Sequence, residues 1–333
     1  MAVDIFAVEP HKVSRDLKGY TVLFYGEPKT GKTTIASHFP NALLLGFEAG
    51  YLAIPGIMAL PINKWSEFKQ VIKQLADPAA KEKYSNIIVD TADIALDLCE
   101  KYICNKNGVS TIGDIPFGGG YKQVEKEFDE ALRAIPQMGF GLVMISHCQD
   151  KVFKDENGAE YNQIVPTLSN QGRKVVDRMS DVIGFAHPEL DEEGNTHTVL
   201  YMRGTPRFIA GSRFAYTPYS IEFNYENLVD AIGEAIDKQA MEFDNKFVTD
   251  EAATPYATEK IDYQGDMKRF NQIVDKLQTV AGNDFANIWA PEITRLISEH
   301  LGAGKRITDT NIMQAEQVHL IVSELEDMVN KNL

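Results

Sequence analysis

The chain has 333 residues, 44% of them hydrophobic and 24% charged, which is the balance of a folded globular protein and excludes a disordered one. At about 100–200 residues per domain, this length predicts two domains or one large domain with an appendage. Its 48 acidic residues against 33 basic ones leave a formal charge of −15, so the surface as a whole is no basic coat for nucleic acid, and any contact with DNA or RNA must come from a local patch or from assembly.

In chain order, the first ten residues, MAVDIFAVEP, place Asp4 and Glu9 in a short apolar stretch, unlike a secretory signal. Residues 1–17 are expected to be an N-terminal extension. Tyr20–Tyr25 is an apolar, β-rich run that ends at Gly26. A helix should begin near Gly31–Lys32 and stop before Pro40. Ala42–Leu45 is a continuous apolar run too short for a buried helix, and so predicts a strand covered on both faces. A helix fits Trp65–Ala76, with Phe68, Val71, Ile72 and Leu75 on one side. Asn86–Asp90 is a second buried strand, followed by helical patterns at Ile94–Ile103 and Gln123–Ile135 and a further strand at Gly141–Ser146. Alternation of this kind predicts an α/β fold with a mainly parallel sheet.

After Ser146 the pattern becomes hairpin-like. Lys151–Gly158 and Tyr161–Val165 predict a β-hairpin with Asn157–Gly158 at its tip. A helix is expected over Gln171–Met179. Short strands are expected at Val182–Phe185, Thr198–Met202 and Arg207–Ala210, and the core should close near Ile221–Phe223. The expected core is 18–237, followed by a polar linker over 238–264. Residues 265–333 predict a small module of three amphipathic helices, at 265–281, 285–301 and 310–330, the first two stopped by Gly282 and Gly302. Trp65 and Trp289 fall on apolar helix faces and read as packing residues. No run of roughly 18 apolar residues could span a bilayer. Cys99, Cys104 and Cys148 form neither a CxxC pair nor a disulfide framework, so a cytoplasmic setting is expected.

The chemistry concentrates at Gly26-Glu27-Pro28-Lys29-Thr30-Gly31-Lys32-Thr33, a full GxxxxGK[ST] phosphate loop between a strand and a helix. Glycines let the backbone bend until several N–H groups face phosphate oxygens, and the helix N-terminus adds its positive dipole end. Lys32 is placed to reach the β- and γ-phosphates of ATP, Thr33 to ligate Mg²⁺ and Thr34 to lie near the α-phosphate. Asp90, at the end of a buried strand, is the candidate second magnesium ligand, through water; a strand-end Asp also caps turns, and the loop upstream tips the choice to metal.

The loop through Thr34 resembles that of RecA-type recombinases. In that family a second strand ends in a catalytic Glu that polarises the attacking water, and Leu43–Glu48 ends in the same way. The family's next core strand ends in a polar γ-phosphate sensor ahead of a mobile DNA-binding loop; Val143–His147 resembles it, with Gln149–Val165 following. The closer resemblance, over about 18–225, is to the phage RecA-like ATPases of the single-strand annealing group, the Sak-type ATP-binding proteins. Pro166-Thr167-Leu168 and Ser180-Asp181-Val182-Ile183 carry it beside the loop. That resemblance implies a RecA-like P-loop NTPase core, Mg²⁺-dependent ATPase activity stimulated by DNA, single-stranded DNA as partner, and a homo-oligomeric ring or filament. It also implies a late Lys-x-Arg that reaches a neighbour's nucleotide. Here Gly211 stands where the Lys would, Arg213 is the candidate trans-acting arginine, and Arg203 or Arg207 could substitute.

Catalytic roles are thus expected of Lys32, Glu48, His147 and Arg213. Ser146, His147 and Cys148 do not form a nucleophilic dyad, because adjacent strand residues point to opposite faces. For DNA the expectation is Lys151, Phe153, Lys154 and Tyr161, with rings for stacking and lysines for phosphates, set among Asp150, Asp155, Glu156 and Glu160. Lys122 and Gly118–Gly120 are a second candidate loop. The expected output is strand annealing or exchange in phage recombination, with the C-terminal helices recruiting a replication or recombination protein. The alternatives are a replisome motor or loader, a nucleotide-gated scaffold, and a small-molecule kinase.

Overall fold

A computed structural model describes residue 6, residues 8–251 and residues 261–332. They fall into two compact units, divided near residue 258.

The larger unit opens with β1 (Val13–Ser14) and β2 (Thr21–Gly26), followed by α1 (Lys32–Ala36) and β3 (Ala42–Gly46). Next come β4 (Ala59–Pro61), α2 (Trp65–Leu75), α3 (Pro78–Lys83), β5 (Asn86–Asp90), α4 (Ala92–Asn107) and α5 (Gly119–Gln137). A long β6 (Gly141–Lys154) turns back as β7 (Glu160–Pro166), and α6 (Asn170–Met179) leads into β8 (Val182–Leu190) and β9 (Thr196–Tyr201). The unit closes with β10 (Gly211–Ser212), β11 (Ser220–Glu222), α7 (Tyr225–Met241) and β12 (Val248–Thr249).

The main sheet runs β11-β9-β8-β2-β6-β5-β3-β4. From β8 to β4 all pairings are parallel, and β9, β11 and the β7 return are antiparallel. This is the mainly parallel α/β core expected from the sequence. Strand alternation sends side chains to two faces. Leu23, Ile87, Val89, Leu142 and Met144 pack with Trp65, Phe68 and Phe128 from α2 and α5. Val22, Phe24, Ile88, Val143 and Ile145 pack with Ile35, Phe39, Leu228 and Ile232 from the opposite side. Trp65 is a packing residue, as expected, and its indole N–H donates to Glu127 at 2.9 Å.

Four expectations need correction. First, the core does not close near Ile221–Phe223: α7 covers one face of the sheet through Leu228, Ala231, Ile232, Ala235 and Ile236, with the Asn224 side chain accepting the Asn227 N–H as its N-cap. Second, β1 and β12 pair in parallel, and Arg15 bridges Asp237 at 2.7 Å and Asp250 at 3.0 Å, so 10–17 and 238–251 are part of this unit rather than a free extension and linker. Residues 252–260 of the expected linker lie outside the described residues. Third, Arg207–Ala210 is no strand; beside Pro206, which cannot donate to a ladder, only isolated bridges at Phe208 form. Fourth, Gly119, Gly120 and Lys122 start α5 instead of forming a loop.

The smaller unit contains α8 (Tyr263–Ala281), α9 (Phe285–Leu301) and α10 (Ala315–Asn332). Phe270, Leu277, Ile293, Leu296, Ile321 and Leu325 form its core, and Trp289 packs against that core. Gly282 and Gly302 stop the first two helices, both at positive φ.

Candidate nucleotide site

The site is built by register along the carboxyl edge of the parallel strands. Gly26 ends β2 level with His147 of β6, while Asp90 ends β5 opposite Ile145 of β6 and Gly46 of β3. The β6 strand therefore stands between the phosphate loop and the Asp90 strand and raises His147 above both. Glu48 arrives from the turn after β3, where the N–H groups of Phe47 and Glu48 donate to the Asp90 carbonyl. One cavity of about 360 Å³ is lined by Lys32, Thr33, Glu48, Asp90 and His147.

Two glycines are needed for this bend. A Cβ on Gly26 would come within 2.1 Å of the Ala186 carbonyl oxygen on β8, so only hydrogen fits there. Gly31 sits at φ +84°, a left-handed position that glycine adopts without strain. Lys29 takes the same region at φ +68°. Pro28, Lys29 and Thr34 are exposed along the cavity, and Thr30 is buried with its hydroxyl donating to the Glu27 carbonyl at 3.0 Å. The Glu27 carboxylate faces away from this cavity toward His187 Nδ1, at 3.7 Å.

Lys32 is buried and its ammonium is folded onto the loop, donating to the carbonyls of Gly26 at 3.0 Å and Glu27 at 2.6 Å. Burial lowers its pKa, and the carboxylates of Asp90 and Glu48 partly oppose that shift. Asp90 is fully buried, and its carboxyl is pushed up to about 6, chiefly by desolvation, while the Thr33 hydroxyl that donates to Oδ2 at 2.9 Å pulls it down. Its other oxygen, Oδ1, is buried with no partner, as is the Thr91 hydroxyl beside it. Glu48 Oε2 and His147 Nε2 lie 3.3 Å apart, both about one-third exposed, and His147 Nδ1 is buried without a partner.

Buried polar atoms without partners are uncommon in folded proteins. Here they cluster where a phosphate-bound cation would lie. Among the described residues no three His, Cys, Asp or Glu converge as a closed metal site. Magnesium does not need one, since it keeps waters and takes one or two protein oxygens plus phosphate. Thr33 Oγ1 and the free Asp90 Oδ1 fit that demand.

The expected residues do not all meet here. Arg213 lies at the opposite edge of the sheet, donating to Asp181 Oδ1 at 2.9 Å and to the Arg178 carbonyl at 2.7 Å. Arg203 donates to the Ala215 carbonyl. On the β6–β7 hairpin, Lys151 sits over the Phe153 ring and Phe153 stacks on Tyr161 at 5.9 Å, all on one face. Lys154 belongs to the other face and pairs with Glu160 at 3.4 Å, because a strand alternates sides at every residue. Asp93, which the sequence suggests is a cap or surface residue, has a buried Oδ1 with no partner and lies close enough to Lys32 to act on its charge. Its place three residues after Asp90, on the first turn of α4, was the available signal.

Among known proteins, residues 18–214 match the family model described as AAA domain. The SPbeta prophage-derived uncharacterized protein YorG of Bacillus subtilis (strain 168) is 31% identical over 337 residues, spanning 99% of this chain and 99% of that protein. The crystal structure of the flagellar accessory protein FlaH from Methanocaldococcus jannaschii aligns with a TM-score of 0.33 at 8% identity, covering 62% of this chain and 85% of that one. Among the described residues no helix is long and apolar enough to cross a membrane.

Proposed function

The chain belongs to the AAA-domain family of P-loop ATPases, and from that premise we propose that it is a Mg²⁺-dependent ATPase of phage recombination, of the Sak type, which binds single-stranded DNA and promotes annealing or strand exchange as an oligomer. One observation carries the catalytic part: Lys32 and Thr33 at the start of α1, Glu48 from the turn after β3, Asp90 of β5 and His147 of β6 line a single cavity. The relative named as prophage-derived supports the phage setting and, with it, action in a host cytoplasm.

In this reading Lys32 leaves the Gly26 and Glu27 carbonyls and neutralises charge on the β- and γ-phosphates. Thr33 and ionised Asp90 would hold the magnesium, which when bound would supply charge neutralisation for the phosphates. Glu48 orients a water for in-line attack, and its contact with His147 sets the direction of its carboxylate. Loss of the γ-phosphate changes that contact, and β6 carries the change without a break from His147 to Lys151 and Phe153. An arginine acting across copies would have to come from a neighbour; Arg213 would first have to leave Asp181. The C-terminal helical unit recruits a replication or recombination partner.

The charge of −15 and the carboxylates of the hairpin favour a second reading, a nucleotide-gated regulatory scaffold without recombination activity. ATPase rates with and without single-stranded DNA, on the native chain and Lys32→Ala, separate the two. The recombination reading expects several-fold stimulation by DNA and loss of hydrolysis in the variant. Appreciable hydrolysis indifferent to DNA would overturn it.

A further inference from the structure

A second cavity, of about 480 Å³, opens between the β6–β7 hairpin, β8, β9 and the 205–208 turn. Neither the phosphate loop's own cavity nor the Lys151–Phe153 face of the hairpin contributes to it. Its floor is aromatic. The Phe185 and Phe208 rings are 5.0 Å apart, Tyr201 and Phe208 4.7 Å, and His187 stacks on Phe185 at 5.4 Å. Behind them Tyr25 stacks on Phe185 at 5.0 Å.

The floor is held in place before any ligand arrives. The Ile164 N–H donates to the Arg207 carbonyl at 2.7 Å, tying the turn to the hairpin. The Tyr25 hydroxyl donates to the Ile209 carbonyl and accepts the Ile209 N–H at 3.0 Å.

The rim is polar and uncommitted. Asp150, Asn162 and Arg207 line the cavity, are exposed, and their side chains have no hydrogen-bond or ion-pair partner among the described residues. Flat rings beneath a carboxylate, an amide and a guanidinium select the ligand chemistry. A purely apolar ligand would strip water from three polar groups and return nothing. A phosphate would face Asp150 and Glu189 against the single Arg207 charge. A nucleobase satisfies both layers: its face stacks on the rings, and its edge offers donors to Asp150 and Asn162 and acceptors to Asn162 and Arg207. The volume suits one base with its sugar.

We propose that this cavity is a nucleobase-binding site, selective for bases bearing an exocyclic amino group. The base comes from a single strand or from a free nucleotide acting as effector. The site is wired to the phosphate loop. Tyr25, under the floor, immediately precedes Gly26; Ala186 of β8 packs against Gly26; and His187, on the cavity wall, reaches Glu27 of the loop at 3.7 Å. A base that shifts His187 or Phe185 therefore acts on the loop that binds ATP.

The test uses the full chain and 2-aminopurine, whose fluorescence falls on stacking. One arm is the free riboside, which lacks the phosphates that the loop binds. The other is a thymidine oligonucleotide with one central 2-aminopurine, read by quenching and by anisotropy. The native chain should quench at least one probe several-fold. Asn162→Ala, on an exposed strand face, and Phe208→Leu, which preserves packing, should each weaken that binding about ten-fold. Quenching of the oligonucleotide alone assigns the strand as source; quenching of the riboside alone assigns a free nucleotide and removes only the single-strand reading. An oligonucleotide that binds by anisotropy without quenching overturns the base site and leaves the single-strand reading standing. So does quenching that neither substitution weakens. No quenching in either arm overturns the site outright.

Discussion

The amino and carboxyl edges of the parallel sheet hold two carboxylates in opposite conditions. At the amino end, Asp181 accepts the Thr21 N–H at 2.8 Å and the Arg213 guanidinium at 2.9 Å, and its own N–H donates to the Thr21 carbonyl. At the carboxyl end, Asp90 has one oxygen occupied by Thr33 and the other empty of partners, with Thr91, Asp93 and His147 also holding buried, unpartnered atoms nearby. Burial raises the pKa of both carboxyls. The first cluster is complete and braces the sheet. The second is incomplete without a ligand, and the protein is less stable for it.

Substitutions can break this comparison. The largest effect is expected from Lys32→Ala, which should lower ATP hydrolysis about 100-fold or more, measured by phosphate release, because Lys32 is the buried cation of the cavity while Lys29 is exposed to water. Retained turnover would mean that the unsatisfied end is not the nucleotide site. Next, Asp181→Ala should cost about 2–3 kcal/mol in urea unfolding, since it strands the Thr21 N–H and the Arg213 charge together.

Asp90→Asn should act in the opposite sense. The folded value of about 6 lies above the ordinary 3.8, so the folded state holds its proton longer than the unfolded chain. This group's contribution to stability therefore falls as pH rises from about 4 to about 6 and stays low above that. Removing the charge should raise stability at pH 7 by about 1–2 kcal/mol while abolishing magnesium-dependent hydrolysis. By the same sign, magnesium–nucleotide affinity of the native chain should fall as pH drops below about 6, which calorimetry across pH 5–8 would record. A destabilised Asp90→Asn protein would show that the two ends are alike after all.

The smallest effect is expected from Arg213→Ala, about 1 kcal/mol or less, because the guanidinium is half exposed. Its hydrolysis sharpens the comparison further. Turnover per chain that rises with protein concentration in the native chain, but not in the variant, would give Arg213 a role across copies beyond its brace.

Much of this was legible in the sequence. The strands at Thr21–Gly26, Ala42–Gly46 and Asn86–Asp90 announce themselves as short apolar runs closed by Gly or Asp, and the three tail helices by period and terminal glycines. The phosphate loop was explicit. The α7 helix was not, because half of its buried face is alanine, which contributes little to a hydrophobic pattern. The lengths of the β6–β7 strands were also hidden, since their outer halves are largely exposed and mix polar with apolar residues on each face.

The chain's own order of residues determined what near neighbours decide: where strands end, where the backbone must bend around phosphate, and which side chains the bend presents. Those features depend on local sterics and on glycine at Gly26 and Gly31. The tertiary structure alone decided which distant groups meet. It set Glu48 against His147, gave Arg213 to Asp181 and gathered Phe185, Tyr201 and Phe208 around a cavity. Each of those meetings depends on strand order and register, and a shift of one residue would turn strand side chains such as His147, Phe185 and Tyr201 to the other face.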